Sequence, residues 1–457
     1  MNTTIVNGFI NHLFHLNWTF FSGRKKGDLI SRLFDNEKVQ VGIQKFVSDD
    51  ILEFLTLLAS LLIIFFYDDK LALILLFLLP VYFVIVSSVQ SKFYQANRRL
   101  LESYSKSESQ FIDNLDGIYD IQHAGKIERF TKKMNSDFSD YHVESAVTGN
   151  LNAKYLLVIS LFGTLTMTLI FSYCVAEVSR GLMEIGNMVA IFSIAGMCLS
   201  STLKLATLPL RWQEAKAALV RSNDIMTIPV ESEGGVILSD LYEVRTNGLL
   251  FHFPGKLDLF RPISIQVRIG EMVVITGNNG IGKSTFMSLI LGMYKPTSGD
   301  IYYNSLSQSE LNLNSIRTQF GYVSQHTKIF NNSLLFNITF DESVSQEEVM
   351  SFLEKWEFVE FPNRFELGLV TILGEEGFKV SGGERQLIGL LRALYREPRF
   401  LLLDEVAAFM DGDLKDKVVR LVWKLTRNSV GILAVSHDEV FSDIATTMYR
   451  MEKPEYS

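Results

Sequence analysis

Apolar residues are concentrated before residue 206, where they form four long runs. The runs span residues 51–67, 71–89, 155–176 and 186–206. Each run is long enough, or nearly so, to cross the hydrocarbon core of a bilayer, which takes about 20 apolar residues in a helix. A soluble core would have to bury the first two runs on all sides, because their only charged residue is Glu53. The pattern therefore predicts an α-helical membrane domain with about four spans.

The stretch between the second and third runs is polar, but its apolar residues recur at helical spacing. It covers residues 90–154 and has a break at Gly117. We expect two long helices here that extend the neighbouring spans into the cytoplasm. A turn-rich linker at residues 229–235 follows the last span, so the domain boundary is predicted near residue 228. The two predicted domains are residues 1–228 and 229–457.

Basic residues orient the predicted membrane domain. Lys and Arg are frequent in residues 1–50 and 90–154, whereas the two short connectors between spans contain only Lys70 and Arg180. Positively charged loops tend to stay on the cytoplasmic side of a membrane. We therefore expect a multi-pass protein of the cytoplasmic membrane, embedded in the lipid bilayer, with its C-terminal half in the cytoplasm.

Composition agrees with this picture and excludes some functions. Of the 457 residues, 47% are hydrophobic, and the mean hydropathy is +0.18. The net charge of -8 gives no support for nucleic-acid binding, which usually requires a basic patch. Cys174 and Cys198 both lie in apolar runs, so neither a disulfide framework nor a metal-binding cysteine pattern is expected.

The C-terminal half contains a phosphate-binding loop of the pattern G-x-x-x-x-G-K-S. It consists of Gly277, Asn278, Asn279, Gly280, Ile281, Gly282, Lys283 and Ser284. A strand at 272–276 is predicted to precede the loop, and a helix is predicted to begin at Lys283. Backbone N–H groups of such loops approach nucleotide phosphates, the lysine reaches the β and γ phosphates, and the serine hydroxyl binds Mg²⁺. The sequence therefore predicts a site for ATP and Mg²⁺.

Two carboxylates follow a second apolar strand. Asp404 and Glu405 come directly after Leu401–Leu403, which is typical of a buried parallel strand. Open parallel sheets bind ligands at the carboxyl ends of their strands. Asp404 and Glu405 are therefore predicted to lie beside the phosphate loop.

Five motifs occur in a characteristic order. The phosphate loop is followed by Gln325, by Ser381-Gly382-Gly383-Glu384, by Asp404-Glu405 and by His437. This order and spacing resemble the nucleotide-binding domain of ATP-binding cassette (ABC) transporters, an α/β P-loop ATPase with a helical subdomain. The resemblance implies that Glu405 polarises the attacking water and that His437 contacts the γ phosphate.

The same resemblance implies roles for further residues. Gln325 joins Mg²⁺ and the attacking water to the helical subdomain, and Asp404 orients Mg²⁺ together with Ser284. Phe253, in Phe251-His252-Phe253-Pro254-Gly255, occupies the place of the ring that stacks on adenine. Thr285 assists at the α phosphate, and Asp411 is the aspartate retained in the loop after the catalytic glutamate.

Ser381, Gly382 and Gly383 resemble the signature segment, which acts in the opposite subunit of a dimer. A hydroxyl and two glycine N–H groups at the start of a helix form an anion site. The expected partner is a second ABC half-transporter, identical or different, with two composite ATP sites. Several positions depart from the family pattern, and these departures put the rate of hydrolysis in question. They are Val380, Glu384, Glu376 and the residues Ala407, Ala408, Phe409 and Met410.

Two segments of the membrane half resemble the coupling regions of type I ABC exporters. They lie near residues 17–32 and 111–122, and they are most similar to those of bacterial peptide or bacteriocin exporters. In those exporters the first region lies between the second and third of six spans. The chain is therefore expected to lack the first two transmembrane helices and any peptidase domain.

These features together predict a subunit that couples ATP hydrolysis to export of a peptide-like substrate across the cytoplasmic membrane. A lipid or drug exporter is an open alternative, because substrate contacts on the spans leave no residue signature. Two further hypotheses are a non-transporting or regulatory partner of an ABC transporter and a soluble cassette ATPase that recruits separate permeases.

Overall fold

The computed structural model of the chain describes residues 2–24, 26–232, 234–374, 380–436 and 439–454. The chain divides into two compact units. The first unit contains the residues up to Phe14 and Arg24–Pro229, and the second contains His15–Gly23 and the residues from Val230 onward. The short segment His15–Gly23 thus belongs to the second unit, although it is far from that unit in sequence.

Helices occupy nearly all of the first 226 residues. In chain order they are α1 (Asn2–Phe14), α2 (Trp18–Ser22), α3 (Lys26–Lys45), α4 (Ile51–Tyr67), α5 (Asp69–Asp116), α6 (Ile118–His123), α7 (Ile127–Ser179), α8 (Ile185–Ala206) and α9 (Leu208–Met226). A π-helical turn, Phe46–Asp50, joins α3 to α4. All of these except α2 belong to the first unit.

Four helical stretches in the described residues are long and apolar enough to cross a membrane, judged by length and composition. They are Arg32–Tyr67, Asp69–Ser88, Ile127–Ser179 and Ile185–Ala206. The predicted spans fall on these helices. α5 has 48 residues and α7 has 53, so each is about 70–80 Å long, more than twice the thickness of a bilayer core. The predicted fold class, apolar helices with long extensions, is confirmed.

Two acidic residues at the ends of spans are hydrogen-bonded within the first unit. The Asp68 carboxylate caps α5 by accepting hydrogen bonds from the backbone N–H groups of Lys70 and Leu71, both at 3.0 Å. Glu53, the single charge in the first apolar run, accepts hydrogen bonds from Ser201 at 2.7 Å and from Lys204. Because an unpaired charge near the membrane is costly, this pairing lets Glu53 lie at the start of α4.

The second unit contains two sheets. Its strands are β1 (Glu243–Leu250), β2 (Gln266–Arg268), β3 (Met272–Thr276), β4 (Ser298–Tyr303), β5 (Leu306–Ser307), β6 (Phe320–Val323), β7 (Phe400–Asp404), β8 (Gly431–Val435) and β9 (Thr447–Arg450). Its helices after α2 are α10 (Lys283–Ile290), α11 (Leu313–Thr318), α12 (Leu334–Thr339), α13 (Gln346–Lys355), α14 (Gly382–Tyr395) and α15 (Gly412–Arg427). The predicted α/β domain is confirmed.

The parallel sheet places the predicted catalytic motifs at one edge. Its strand order is β6-β7-β8-β3-β9, and an antiparallel sheet has the order β2-β1-β4-β5. Alternate residues of β3 enter two different cores, with Met272 and Val274 in one and Val273 and Ile275 in the other. A strand buried on both faces reads as a continuous apolar run. The carboxyl ends of β3, β6, β7 and β8 therefore meet at the same edge.

Candidate functional site

The phosphate loop runs from the end of β3 to the start of α10. Gly282 has a φ of 101°, and a Cβ at this position would lie 3.1 Å from the Phe260 ring. Gly277 has a φ of 151°, and its Cβ would lie 3.0 Å from the carbonyl oxygen of Met451. Only glycine adopts such conformations at low cost. The backbone N–H groups at the start of α10 give this loop the positive end of a helix dipole.

Lys283 is buried beneath this loop, with 6% of its surface exposed. Its Nζ donates hydrogen bonds to the carbonyl oxygens of Gly277 at 2.7 Å and Asn278 at 3.2 Å. Burial lowers the pKa of Lys283, and the nearby carboxylates of Glu405 and Asp404 oppose that shift. A buried ammonium group beside backbone N–H groups is suited to bind phosphate oxygens.

Asp404 ends β7 and is almost fully buried, with 2% of its surface exposed. Burial raises the pKa of its carboxyl group, while a hydrogen bond from Ser284 and the charge of Lys283 lower it. A buried carboxylate next to a serine hydroxyl provides the oxygen donors that hard divalent cations prefer. Asp404 and Ser284 can therefore hold a metal ion that arrives with nucleotide phosphates.

Glu405 adopts a left-handed backbone conformation, with a φ of 53°. Its backbone N–H donates a hydrogen bond to the carbonyl oxygen of Val435 at 3.0 Å. Its side-chain Oε2 accepts a hydrogen bond from Gln325 Nε2 at 2.7 Å. Strained backbone of this kind costs about 1–3 kcal/mol and is concentrated at functional sites. The sheet thus holds the Glu405 carboxylate in one position, against Gln325.

Gln386 supports Gln325 from the helical subdomain. Its side-chain Nε2 donates a hydrogen bond to the backbone carbonyl of Gln325. α14 approaches this loop closely, because a Cβ at Gly389 would lie 2.5 Å from the hydroxyl of Thr327. Gln386 belongs to none of the motifs from which the site was predicted. The sequence feature that could have identified Gln386 is its polar side chain on the apolar face of α14, next to the buried residues Leu387 and Ile388.

Phe253 is half-buried and belongs to an aromatic cluster. Its ring packs edge-on against Phe251 at 5.1 Å and against Tyr294 at 5.7 Å between centroids. Trp18, on α2, donates its indole N–H to the Tyr294 hydroxyl at 3.1 Å. The predicted adenine-stacking ring is thus connected through Tyr294 to the segment His15–Gly23. Tyr294 carried no sequence signal of its own.

The segment His15–Gly23 is also joined to the linker that precedes β1. Leu16 forms an antiparallel bridge with Val230, and the backbone N–H of Glu231 donates to His15 at 2.8 Å. The Glu231 carboxylate pairs with Arg317, whose guanidinium also donates to the carbonyl of Leu291, at 3.1 Å, just beyond α10. A cation is favourable at the C-terminus of a helix.

Ser381, Gly382 and Gly383 form a second group, at the start of α14. Ser381 is the N-cap residue of this helix, and a Cβ at Gly383 would lie 2.9 Å from the carbonyl oxygen of Phe409. Asp411 caps α15 by accepting a hydrogen bond from the backbone N–H of Leu414 at 3.0 Å. That Asp411 takes part in nucleotide binding stays a prediction.

The structure therefore brings together Lys283, Ser284, Gln325, Asp404 and Glu405. In the phosphate loop Asn278, Asn279 and Gly280 are exposed, Ile281 is buried, and Thr285 is half-buried on α10. His437 and Glu376 lie outside the described residues. This arrangement combines a phosphate cradle, a buried cation, a buried carboxylate next to a serine hydroxyl, and a positioned second carboxylate.

We expect Asp404→Asn to stabilise the nucleotide-free protein and to abolish stabilisation by Mg²⁺-ATP. Because the pKa of Asp404 is raised, its contribution to stability is present below the ordinary aspartate pKa and is lost as the pH rises through the raised value. At neutral pH the buried carboxylate is therefore destabilising, and asparagine removes that cost. Thermal unfolding should show a higher Tm for the variant at pH 7.5, by about 2–4 °C for each kcal/mol gained in the free energy of unfolding.

The same Tm measurements at a series of lower pH values provide the control for this experiment. The Tm difference between Asp404→Asn and the wild type should shrink as the pH falls through the raised pKa toward the ordinary aspartate pKa. A variant that melts below the wild type at pH 7.5 without nucleotide would contradict the prediction.

Two family matches and several relatives agree with this arrangement. Residues 260–408 match the family described as ABC transporter, and residues 1–203 match the family described as ABC transporter transmembrane region. Together these matches place a transmembrane region and an ABC ATPase in one chain, so the hypothesis of a soluble cassette ATPase is wrong. ATP binding is implied by the ATPase match.

The curated relatives that are similar over almost the whole chain include two transport/processing ATP-binding proteins. The transport/processing ATP-binding protein ComA of Streptococcus pneumoniae is 24% identical over 425 residues, which cover 92% of this chain and 59% of ComA. The lactococcin-A transport/processing ATP-binding protein LcnC of Lactococcus lactis is 23% identical over 433 residues, which cover 94% of this chain and 60% of LcnC. The chain thus spans about three-fifths of the length of these relatives.

Solved structures with the same fold include the following one. It is a bacterial Atm1-family ABC exporter with ATP bound, with a TM-score of 0.84 and 18% sequence identity. The match covers 99% of this chain and 80% of that chain. At this identity the likeness establishes the fold and no more.

Proposed function

Because this chain belongs to the ABC transporter family, we propose that it is an ATP-driven exporter subunit that moves a peptide-like substrate across the cytoplasmic membrane. Its helical region makes it a multi-pass membrane protein, with the ATPase domain on the cytoplasmic side. The observation that carries the proposal is the hydrogen bond of 2.7 Å between Gln325 and Glu405, formed beside the buried Lys283.

ATP hydrolysis follows from the positions of four side chains. Lys283 binds oxygens of the β and γ phosphates, and the loop N–H groups bind the remaining phosphate oxygens. Gln325 orients the Glu405 carboxylate, which polarises a water molecule for attack on the γ phosphorus. Mg²⁺ neutralises phosphate charge when it is bound with ATP, and Ser284, Asp404 and Gln325 would hold it.

The oxygen donors favour Mg²⁺ over softer metals. Hydroxyl, carboxylate and amide oxygens suit hard cations, and Mg²⁺ commonly uses one or two protein ligands together with phosphate oxygens and water. Within the described residues, no cluster of three or more His, Cys, Asp or Glu side chains could hold a metal ion. With oxygens from Ser284, Asp404 and Gln325, Mg²⁺ would take the rest of its six ligands from phosphate and water.

A second half-transporter completes each ATP site. Ser381 and the N–H groups at the start of α14 form an anion site that is separate from the Lys283 cluster. We assign this site to the γ phosphate held by the partner. Two copies, or one copy and a related chain, then bind two ATP molecules between them, and closure and reopening of this dimer drive the membrane helices.

The proposed cargo is peptide-like. The name of LcnC states that this relative transports lactococcin A. The segments near residues 17–32 and 111–122 resemble the coupling regions of bacteriocin exporters, which supports the same cargo class. α2 and α6 are the short helices of these two segments.

Transport in proteoliposomes tests the proposal. The full chain is reconstituted with its ATPase domain outward, and a fluorescent bacteriocin-like peptide is supplied with Mg²⁺-ATP. We expect ATP-dependent accumulation of the peptide in the lumen with the wild type and none with Glu405→Gln. Hydrolysis without peptide uptake would contradict the proposed peptide cargo and would favour a lipid exporter, a drug exporter or a regulatory subunit. Uptake assays with lipid and drug substrates would then distinguish these three alternatives. Absence of Glu405-dependent hydrolysis would contradict the motor itself.

We expect Phe253→Ala to weaken ATP binding. Stacking of a base on an aromatic ring contributes about 1–3 kcal/mol, so the Kd should rise about 5- to 150-fold. Phe253→Tyr, which keeps the ring, serves as the matched control and should bind ATP as the wild type does. Titration with a fluorescent ATP analogue measures the Kd of both variants. Titration with inorganic triphosphate, which has no base, should give the same Kd for both variants. Equal ATP affinity of Phe253→Ala and the wild type would remove Phe253 from the adenine site.

A further inference from the structure

Glu384 is hydrogen-bonded to Ser381, the residue that is proposed to contact the partner's ATP. Its Oε2 accepts a hydrogen bond from the backbone N–H of Ser381 at 3.0 Å and a second one from the Ser381 hydroxyl at 2.9 Å. The Ser381 oxygen in turn accepts a hydrogen bond from the backbone N–H of Glu384 at 3.3 Å. The two residues form a reciprocal capping box at the start of α14.

This capping box uses the hydroxyl proton that a phosphate would need. An ionised carboxylate only accepts hydrogen bonds, so the Ser381 hydroxyl points its proton toward Glu384. A γ phosphate that approaches Ser381 therefore loses that donor and also meets a like charge. Glutamine forms the same capping box without a charge. Glutamate at this position thus opposes phosphate binding, although it stabilises the helix.

Arg364 lies on the other side of the same carboxylate. Its Nη1 is 3.7 Å from Glu384 Oε1, and the side chains of Arg364 and Glu384 are 52% and 17% exposed. Arg364 ends a short 3₁₀ turn, Phe361–Arg364. The Glu384 carboxylate therefore lies between two sets of donors, those of Ser381 and that of Arg364. Displacement of the carboxylate toward Arg364 would lengthen its hydrogen bond with the Ser381 hydroxyl.

We propose that Glu384 is a positioning residue that weakens ATP capture by this signature segment, and that Arg364 counteracts it by drawing the carboxylate away from Ser381. The inference rests on the proposed function, because it requires that Ser381 faces the ATP of a partner. It predicts that this chain closes on ATP less readily than a chain with glutamine at the same position.

Steady-state hydrolysis by the full chain in lipid nanodiscs tests this inference. Glu384→Gln should lower the KM for ATP about 3- to 10-fold, the size expected for removal of one like charge from a solvent-accessible anion site. Arg364→Gln should raise the KM, and the double variant should match Glu384→Gln alone. Glu366→Gln removes the same charge from an exposed position two residues after Arg364 in the sequence and should leave the KM unchanged.

Three readouts separate the charge from a structural role. The KM difference between Glu384→Gln and the wild type should shrink between 50 and 500 mM NaCl, conditions over which the screening length falls severalfold, from about 14 to about 4 Å. Glu384→Ala should lower the Tm because it loses the cap, yet it should also lower the KM. In a Ser381→Ala background, the effect of Glu384→Gln should shrink.

The outcomes distinguish the inference from the proposed function. Glu405-dependent turnover of the wild type with an unchanged or higher KM for Glu384→Gln overturns the inference alone. If the wild type has no turnover and Glu384→Gln gains Glu405-dependent turnover, the inference is supported and the wild type is an inhibited motor. No turnover in either protein overturns both.

Discussion

Replacement of Glu405 by glutamine is expected to abolish ATP turnover while ATP stays bound. Glutamine has the same size and can still accept the hydrogen bond that Gln325 donates to Glu405 Oε2. It cannot polarise or deprotonate the attacking water, and a positioned general base contributes about 10²- to 10⁴-fold to a rate. Phosphate release should therefore fall at least 100-fold, and the affinity for a fluorescent ATP analogue should stay within about twofold of the wild type.

The control for this prediction is Glu397→Gln, on the surface of the same domain. Glu397 is exposed and pairs with Lys355, which is also exposed. This variant should hydrolyse ATP at the wild-type rate. If Glu405→Gln keeps more than a tenth of the wild-type turnover, Glu405 is not the catalytic base.

Replacement of Lys283 by alanine is expected to abolish nucleotide binding. The buried ammonium group lies at the loop carbonyls of Gly277 and Asn278, and charge-assisted hydrogen bonds contribute about 1.5–3 kcal/mol each. Contacts to two phosphates predict a loss of at least 100-fold in ATP affinity. Fluorescence titration with an ATP analogue measures the loss.

Lys295→Ala is the matched control, because Lys295 is an exposed lysine shortly after α10. It removes the same charge from the same unit and should bind ATP normally. Nucleotide should raise the Tm of the Lys295 variant and of the wild type, and it should not raise the Tm of Lys283→Ala. A Lys283 variant that still gains stability from ATP would show that the loop backbone alone binds the phosphates.

Contiguous motifs explain why much of the site is predictable from sequence. The phosphate loop is local, because β3, the loop and α10 follow one another within 19 residues from Met272 to Ile290. The apolar strand before Asp404 likewise predicts where that carboxylate lies, since the ends of parallel strands meet at one edge. The four apolar helices follow from residue type and length alone.

Other features depend on contacts between distant residues, which no local pattern encodes. Gln325 and Glu405 are 80 residues apart, and Trp18 and Tyr294 are 276 apart. The parallel register of β6 on β7, with Val323 opposite Leu403, brings Gln325 to Glu405. The helical subdomain then fixes the Gln325 backbone through Gln386.

The sequence by itself determined that this chain has apolar helices able to span a membrane and a P-loop domain with the motif order of an ABC ATPase. These properties follow from hydropathy and from short motifs whose geometry is local. Only the tertiary structure decided that Glu405 is held in a left-handed conformation against Gln325, that Tyr294 connects Phe253 to Trp18, and that Glu384 engages the Ser381 hydroxyl. The physical reason is that sheet register and side-chain packing set these contacts, and both depend on residues far apart in the chain.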